Sequence, residues 1–263
     1  MTDTAAPRTP AWPPRSAPRL FVPGPLAEGD VVPVEGPQAH YLGRVMRLSP
    51  GDAVILCDDV TGEWVARVGD VGKRALSLIV EARLRGREGV PDLTLCACLL
   101  KKDRFDLVLE KATELGVARI QPVIARRCVA DSLNMERARA LVTEAAEQCA
   151  RTALPEVLAP MKLSALLAGW PAERTLFFAD EAAVHPEGGL PTAPAAEAFR
   201  TGGPLAAILI GPEGGFSPAE RDQLRAMTSV TPVTLGPRIL RADTAAISAL
   251  TLWQAALGDW SAQ

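Results

Sequence analysis

Leu209-Ile210-Gly211-Pro212-Glu213-Gly214-Gly215-Phe216-Ser217-Pro218-Ala219-Glu220 decides the fold. It has a counterpart downstream in Leu235-Gly236-Pro237-Arg238-Ile239-Leu240-Arg241-Ala242-Asp243-Thr244-Ala245. In each, an apolar run halts at Gly-Pro and a helix-start signal follows. Ser217 to Glu220 reads as a capping box with proline at the first helical position, so a helix begins there. Gly211, Gly214 and Gly215 let backbone amides approach a ligand where a Cβ would clash. The loop has neither the GxGxxG spacing of a dinucleotide fold nor the GxxxxGK[ST] of a phosphate loop, and no lysine follows it.

Outward from these loops, strand and helix signals alternate. Leu93–Leu100 is a continuous apolar run, the pattern of a strand buried on both faces. Asp103–Leu115 is predicted helical, with Phe105, Val108, Leu109, Ala112 and Leu115 on one face and Gly116 as its stop. Arg119–Ala125 is strand-like. Asn134–Arg151 is helical, with Met135, Ala138, Leu141, Val142, Ala145 and Cys149 inward. Further strands are predicted at Thr175–Ala179, Leu205–Ile210 and Pro232–Leu235. A last helix runs from Asp243 or Thr244 to Leu257 and buries Ile247, Leu250, Trp253 and Leu257. Such alternation specifies an α/β domain with a largely parallel sheet. Residues 186–204, rich in Pro, Gly and Ala, read as a loop. Residues 19–86 differ: short strands at 19–22, 52–57, 63–68 and 75–80, separated by turns such as Gly69–Lys73, predict a small β-barrel. Residues 85–91 read as a linker, and the Pro/Ala-rich start, 1–18, as a disordered tail without the apolar core of a signal peptide.

Composition narrows the function. The 263 residues are 48% hydrophobic with no long apolar run, so nothing is expected to span a membrane. Five cysteines without a CxxC pair and two histidines, His40 and His185, argue against a zinc site or a disulfide framework, and for a reducing compartment. The net charge of −3 is unevenly spread. Residues 1–90 carry 11 basic and 11 acidic side chains, 101–151 carry 10 and 8, and 152–263 carry 7 and 11. A nucleic-acid footprint, if present, is therefore local. A cradle without a phosphate-reading lysine suits a ligand of low anionic charge, such as adenosine with an amino-acid tail. Ordinary tight turns would have the same local signature.

The two opening loops also carry a resemblance. They look like the SPOUT class of S-adenosyl-L-methionine-dependent RNA methyltransferases and, more narrowly, the RsmE family, which methylates N3 of one uridine in small-subunit (16S) ribosomal RNA. Three further stretches agree. His40-Tyr41-Leu42-Gly43-Arg44-Val45-Met46-Arg47-Leu48 is similar to that family's PUA-like barrel. Lys101–Asp106 through Lys111–Val117 is similar to the opening of its methyltransferase domain, and Glu147-Gln148-Cys149-Ala150-Arg151 to its mid-domain helix end. The resemblance implies a PUA-like barrel over 19–86, then a SPOUT-type α/β domain over 92–263 whose C-terminal segment threads a deep trefoil knot, an exception to the rule against threading. It further implies a homodimer in the cytoplasm, with no metal or membrane, acting on small-subunit RNA within the 30S particle. A non-catalytic RNA-binding or assembly factor on the same fold, or a methyltransferase for another RNA position, is the alternative.

Carried over residue by residue, the resemblance places the cofactor against Leu209, Ile210, Gly211, Pro212, Glu213, Gly214, Gly215, Leu235, Gly236, Ile239, Leu240 and Ala245. Arg241 is the first candidate to stabilise the uracil anion or grip a phosphate. Asp243, Glu213 and Glu147 are the carboxylates from which a base would come, and none is singled out. Asp243 stands where the family has glutamate and can also cap the last helix. Arg44, Arg47, Lys101, Lys102, Arg104, Arg126, Arg127, Arg151 and Arg238 form the candidate RNA footprint. Methylation at nitrogen needs no cysteine nucleophile, which leaves Cys149 as a packing residue.

Overall fold

The computed structural model describes residues 12–72, 74–180 and 192–261. The chain divides into two compact units: residues 1–88 with 150–153, and residues 89–149 with 154–263. Most of the predicted tail, all of Lys73, and the part of the predicted 186–204 loop up to residue 191 lie outside the described residues.

The first unit is built on β1 (Arg19–Phe21), β2 (Val31–Glu35), β3 (Ala53–Cys57), β4 (Glu63–Val71) and β5 (Ala75–Arg85). They form one sheet in the order β1-β3-β4-β5-β2. Only β1–β3 is parallel. Among the described residues β1 and β2 are the sheet's edges and do not pair with each other, so the expected barrel is here a five-stranded sheet. β5 alternates as a half-buried strand does: Leu76, Leu78 and Val80 face the core, while Ser77 and Ile79 do not, whereas β3 is buried along its whole length. β2 was not predicted because Pro33 interrupts it; proline is tolerated because the strand is an edge. Helix α1 (Gly36–His40) follows it and runs directly into a π-helical turn, Tyr41–Val45, whose Leu42 is fully buried. The predicted turn at 69–73 is partly strand: β4 runs on to Val71 past a register shift, and the Asp70 N–H donates to Ser77 Oγ (2.9 Å). β5 likewise runs to Arg85, into the predicted linker. There the Arg85 guanidinium meets Glu63 at 2.6 Å, and Arg19 holds the same carboxylate at 2.9 Å.

The second unit is a parallel sheet with helices on both faces. Its elements in chain order are β6 (Leu93–Cys98), α2 (Lys102–Glu114), β7 (Arg119–Ile124), α3 (Met135–Gln148), β8 (Glu156–Val157), β9 (Met161–Lys162), α4 (Leu163–Ala168), β10 (Thr175–Ala179), β11 (Ala193–Pro194), α5 (Ala195–Thr201), β12 (Ala206–Ile210), α6 (Pro218–Ala226), β13 (Val230–Thr234) and α7 (Ala242–Ala256). The sheet order is β11-β13-β10-β12-β6-β7-β8, with β9 also paired to β7. All of its pairings are parallel.

Alternate residues of each strand feed opposite faces. Leu93, Leu95, Ala97, Phe177, Ile208 and Val233 pack with α2, α3, α5 and α7 in one core, where Trp253 is the largest buried side chain. Cys96, Cys98, Leu176, Phe178 and Leu209 pack with α4 and α6 in the other. Burial on both faces explains why these strands read as unbroken apolar runs.

Three expectations need correction. The predicted loop at 186–204 contains, within its described part, β11 and the short helix α5, which buries Phe199. The helix predicted over 134–151 ends at Gln148, and Cys149 is exposed at its C-cap rather than turned inward. Arg151 is buried, 3.8 Å from Glu88 in the first unit, so it does not present its charge to solvent.

Candidate functional site

The parallel strands β10, β12 and β13 end at one edge of the sheet, the edge where open α/β folds bind ligands. A cleft of about 240 Å³ lies there, between the loop after β12 (211–217) and the loop after β13 (235–241). Of the residues assigned to the cofactor from sequence, Ile210, Gly211, Pro212, Glu213, Gly215, Leu235, Gly236, Ile239, Leu240 and Ala245 line it. Leu209 does not; its side chain points into the core on the α6 face. Gly214 also stands outside the lining, with its α-carbon turned towards Arg127.

The first loop is tied down at several points. Ser217 caps α6: its Oγ accepts the Glu220 N–H at 3.4 Å, while Glu220 Oε2 accepts the Ser217 N–H at 2.9 Å. The other Glu220 oxygen takes the Arg126 N–H at 2.8 Å, which joins α6 to the segment after β7. Burial alone would raise the Glu220 carboxyl, but the Arg126 and Ser217 donors outweigh it and hold it below its ordinary range. The Arg127 guanidinium donates to the Gly214 carbonyl at 2.9 Å. Phe216 is buried against Phe178, edge to face at 5.8 Å. A Cβ on Gly211 would come to 3.0 Å from that Phe216 ring, which would have to give way by a few tenths of an ångström to admit a larger residue.

The second loop is held differently. Gly236 has φ of +113°, and its N–H donates to Thr234 Oγ1 at 3.2 Å. Pro237, Arg238 and Ile239 are exposed. Arg238 and Arg241 both line the cleft. Arg241 is also the N-cap residue of α7, and its side chain makes no cap bond. The helix thus starts ahead of the expected Asp243 or Thr244, and Asp243 is not its N-cap. Asp243 sits in the first turn, only 4% exposed; its Oδ1 accepts the Thr244 N–H at 2.9 Å and its Oδ2 is paired with the Arg104 guanidinium. Burial pushes this carboxyl up, but the Arg104 bond and the Thr244 amide prevail and hold it below its ordinary value. Asp243 is outside the cleft lining and both of its oxygens are already engaged, which disfavours it as a base.

The remaining candidates scatter. Glu213 lines the cleft and is exposed. Glu147 lies near the end of α3 and does not line the cleft. Lys101, Lys102 and Arg126 are exposed on the second unit, Arg44 and Arg47 on the first. Arg104 pairs with Asp243, and Arg127, itself exposed, holds the first loop.

Sequence reading missed a charged cluster on the cleft wall. Asp180 follows β10 directly; its buried carboxylate receives Arg225 Nε at 3.0 Å and lies 3.4 Å from Arg221 Nε. Asp180 and Arg221 both line the cleft. The available signal was the i, i+4 spacing of Arg221 and Arg225 on the predicted helix, facing a carboxylate at a strand end. Phe216, Val233, Thr234, Ala179 and Ala242 complete the lining. Among the lining residues no lysine occurs, and both signs of charge are present. The apolar stretches of both loops suit a ligand with an apolar body, and the charged residues a polar end.

Comparison with known proteins resolves the family. An RNA methyltransferase domain family matches residues 88–254, and an RNA methyltransferase PUA domain family matches residues 34–81. The ribosomal RNA small subunit methyltransferase E of Rickettsia conorii is 30% identical over 237 residues, covering 88% of this chain and 93% of that protein. This chain belongs to that family. Among solved structures, the Neisseria gonorrhoeae ribosomal RNA small subunit methyltransferase E bound to S-adenosylmethionine is 28% identical with a TM-score of 0.76, covering 91% of this chain and 97% of that one. A Legionella pneumophila methyltransferase in complex with SAM is also 28% identical, with a TM-score of 0.77, covering 91% and 98%. The expected α/β fold with a parallel sheet and the expected family both stand.

Proposed function

We propose that this chain transfers a methyl group from S-adenosyl-L-methionine to N3 of a uridine in small-subunit (16S) ribosomal RNA. The observation that carries the reading is the cleft between the two loops at the carboxyl edge of the sheet, in a chain whose relatives are solved with S-adenosylmethionine. Gly211 gives the backbone access to the ligand, and Ile210, Leu235, Ile239 and Leu240 supply apolar wall for an adenosine. S-adenosylmethionine supplies an activated methyl group on a sulfonium. The uracil N3 is the difficult partner, because it carries a proton and its lone pair is delocalised into the imide. Arg241, exposed at the mouth of the cleft, is placed to stabilise negative charge on the flanking carbonyls, and Arg238 to hold a neighbouring phosphate. Of the three carboxylates considered as base, Glu213 alone lines the cleft.

The finer architecture belongs to the same proposal. α6 packs on β13, so the chain leaving β12 through 211–217 crosses towards β13, while 235–241 crosses back from β13 to α7, which packs on β12 and α2. The C-terminal trefoil knot is proposed on membership of the family. Residues 19–86 act as the RNA-binding domain and 92–263 as the catalytic domain, in a cytoplasmic homodimer working on the 30S particle without a metal. Calorimetric titration with S-adenosylmethionine tests the enzyme against the non-catalytic alternative. Saturable one-site binding is expected, and its absence would favour an assembly factor.

A further inference from the structure

Arg104 and Asp243 are 139 residues apart, yet they meet where α2 packs on the start of α7. The Asp243 carboxylate is almost wholly buried, and both of its oxygens are engaged, one by Arg104 and one by the Thr244 N–H. The same helical turn carries the cleft. Arg241, Ala242 and Ala245 line it, and the Arg241 carbonyl accepts the Ala245 N–H at 2.8 Å, closing the turn. Whatever fixes Asp243 therefore fixes the entry of the second loop into α7. A phosphate competing for Arg104 would leave a buried carboxylate without its counter-ion, an arrangement that costs more than a surface phosphate contact returns.

We infer that Arg104 is a positioning residue rather than an RNA contact: by holding Asp243 it sets the first turn of α7, which presents Arg241 and one wall of the cofactor cleft. The inference rests on the function proposed above. It also accounts for the shorter carboxylate at position 243. That carboxylate does not reach into the cleft; it anchors the turn from behind, and Arg104 spans the distance to it.

The test uses the full chain with Arg104→Gln, Arg104→Lys, Asp243→Asn and the Arg104→Gln/Asp243→Asn double variant. S-adenosylmethionine affinity is measured by calorimetry, and kcat and the RNA KM by methyl transfer to small-subunit particles. Arg104→Gln is expected to weaken cofactor binding and lower kcat, each on the order of tenfold, because a displaced turn misaligns the cleft. The RNA KM should hold within about twofold. Arg104→Lys, which restores the charge, should recover much of the loss. Asp243→Asn added to Arg104→Gln should cost little more, since the buried charge is then gone. A raised RNA KM with unchanged cofactor affinity, or losses that multiply in the double variant, would overturn the inference. If Arg104→Gln does not fold, Asp243→Asn, which removes the charge that Arg104 holds, gives the same split, with Arg104→Lys as the near-wild-type control. A wild-type chain that failed to bind the cofactor would overturn the proposed function as well, whereas a wild-type chain that binds it and an indifferent Arg104→Gln would overturn the inference alone.

Discussion

The two loops that bound the cleft are built on opposite plans. Residues 211–217 are fastened from outside and inside: Arg127 on the Gly214 carbonyl, Glu220 on the Arg126 and Ser217 amides, and Phe216 sunk into the core beneath Gly211. Residues 235–241 are held at Gly236 by the Thr234 hydroxyl, which is paired with both the Gly236 N–H and its carbonyl, and then run exposed through Pro237, Arg238 and Ile239, with their anchor at Asp243 just beyond. The first loop spends its charged neighbours on holding a backbone shape. The second keeps two arginines on the cleft with their charge directed to solvent. A preorganised wall and a cationic rim are the division of labour that the proposed function calls for.

That contrast can be broken in graded ways. The largest effect is expected at the rim: Arg241→Ala should slow methyl transfer by about 10²–10³-fold, the usual consequence of removing one donor to developing charge, while S-adenosylmethionine affinity measured by calorimetry stays near wild type. Next comes the wall. Gly211→Val places a branched side chain where even a Cβ stands 3.0 Å from the Phe216 ring. Overpacking of this kind costs about 1–3 kcal/mol of folding stability, read as a lower thermal midpoint, and a shifted first loop should weaken cofactor binding with it. Glu220→Ala removes one side of the capping box and the acceptor of the Arg126 amide. Thermal unfolding should show a loss of about 1–2 kcal/mol.

The smallest effect is acid sensitivity, and here the two loops should agree. Glu220 and Asp243 both titrate below their ordinary values of 4.5 and 3.8 when folded. A carboxylate depressed by folding stabilises the native state at pH above its unfolded value, and that contribution disappears as pH falls through the folded value. The midpoint of thermal unfolding should therefore lose nothing from these two groups between neutrality and about the ordinary carboxylate range, and decline on their account only below it. A decline that begins near neutral pH would mean that one of these carboxylates is not held as described.

Much of this architecture was legible because parallel strands buried on both faces leave unbroken apolar runs. Leu93–Cys98, Thr175–Ala179 and Ala206–Ile210 announce themselves, and Ser217 with Glu220 marks its helix to the residue. What stayed hidden had no local signal. β2 carries a proline that only an edge position excuses, and α5 is a short alanine-rich helix inside a proline-rich stretch. In the site, the glycines and apolar walls of both loops were readable from turn chemistry. The contacts of Arg127 with Gly214 and of Arg104 with Asp243 span 87 and 139 residues, and Asp180 with Arg225 spans 45. Basic residues beside a nucleic-acid site look alike in sequence whether they hold RNA or hold a loop. Arg151 illustrates the same limit, being a charge that folding has buried against Glu88.

Small-subunit particles from cells lacking this protein, incubated with the purified chain and S-adenosylmethionine labelled in its methyl group, test the central claim most directly. The account predicts label on a single uridine of the 16S RNA, at N3, when the RNA is digested and mapped. Label at a different base or atom, or none from a chain that binds the cofactor, would contradict it.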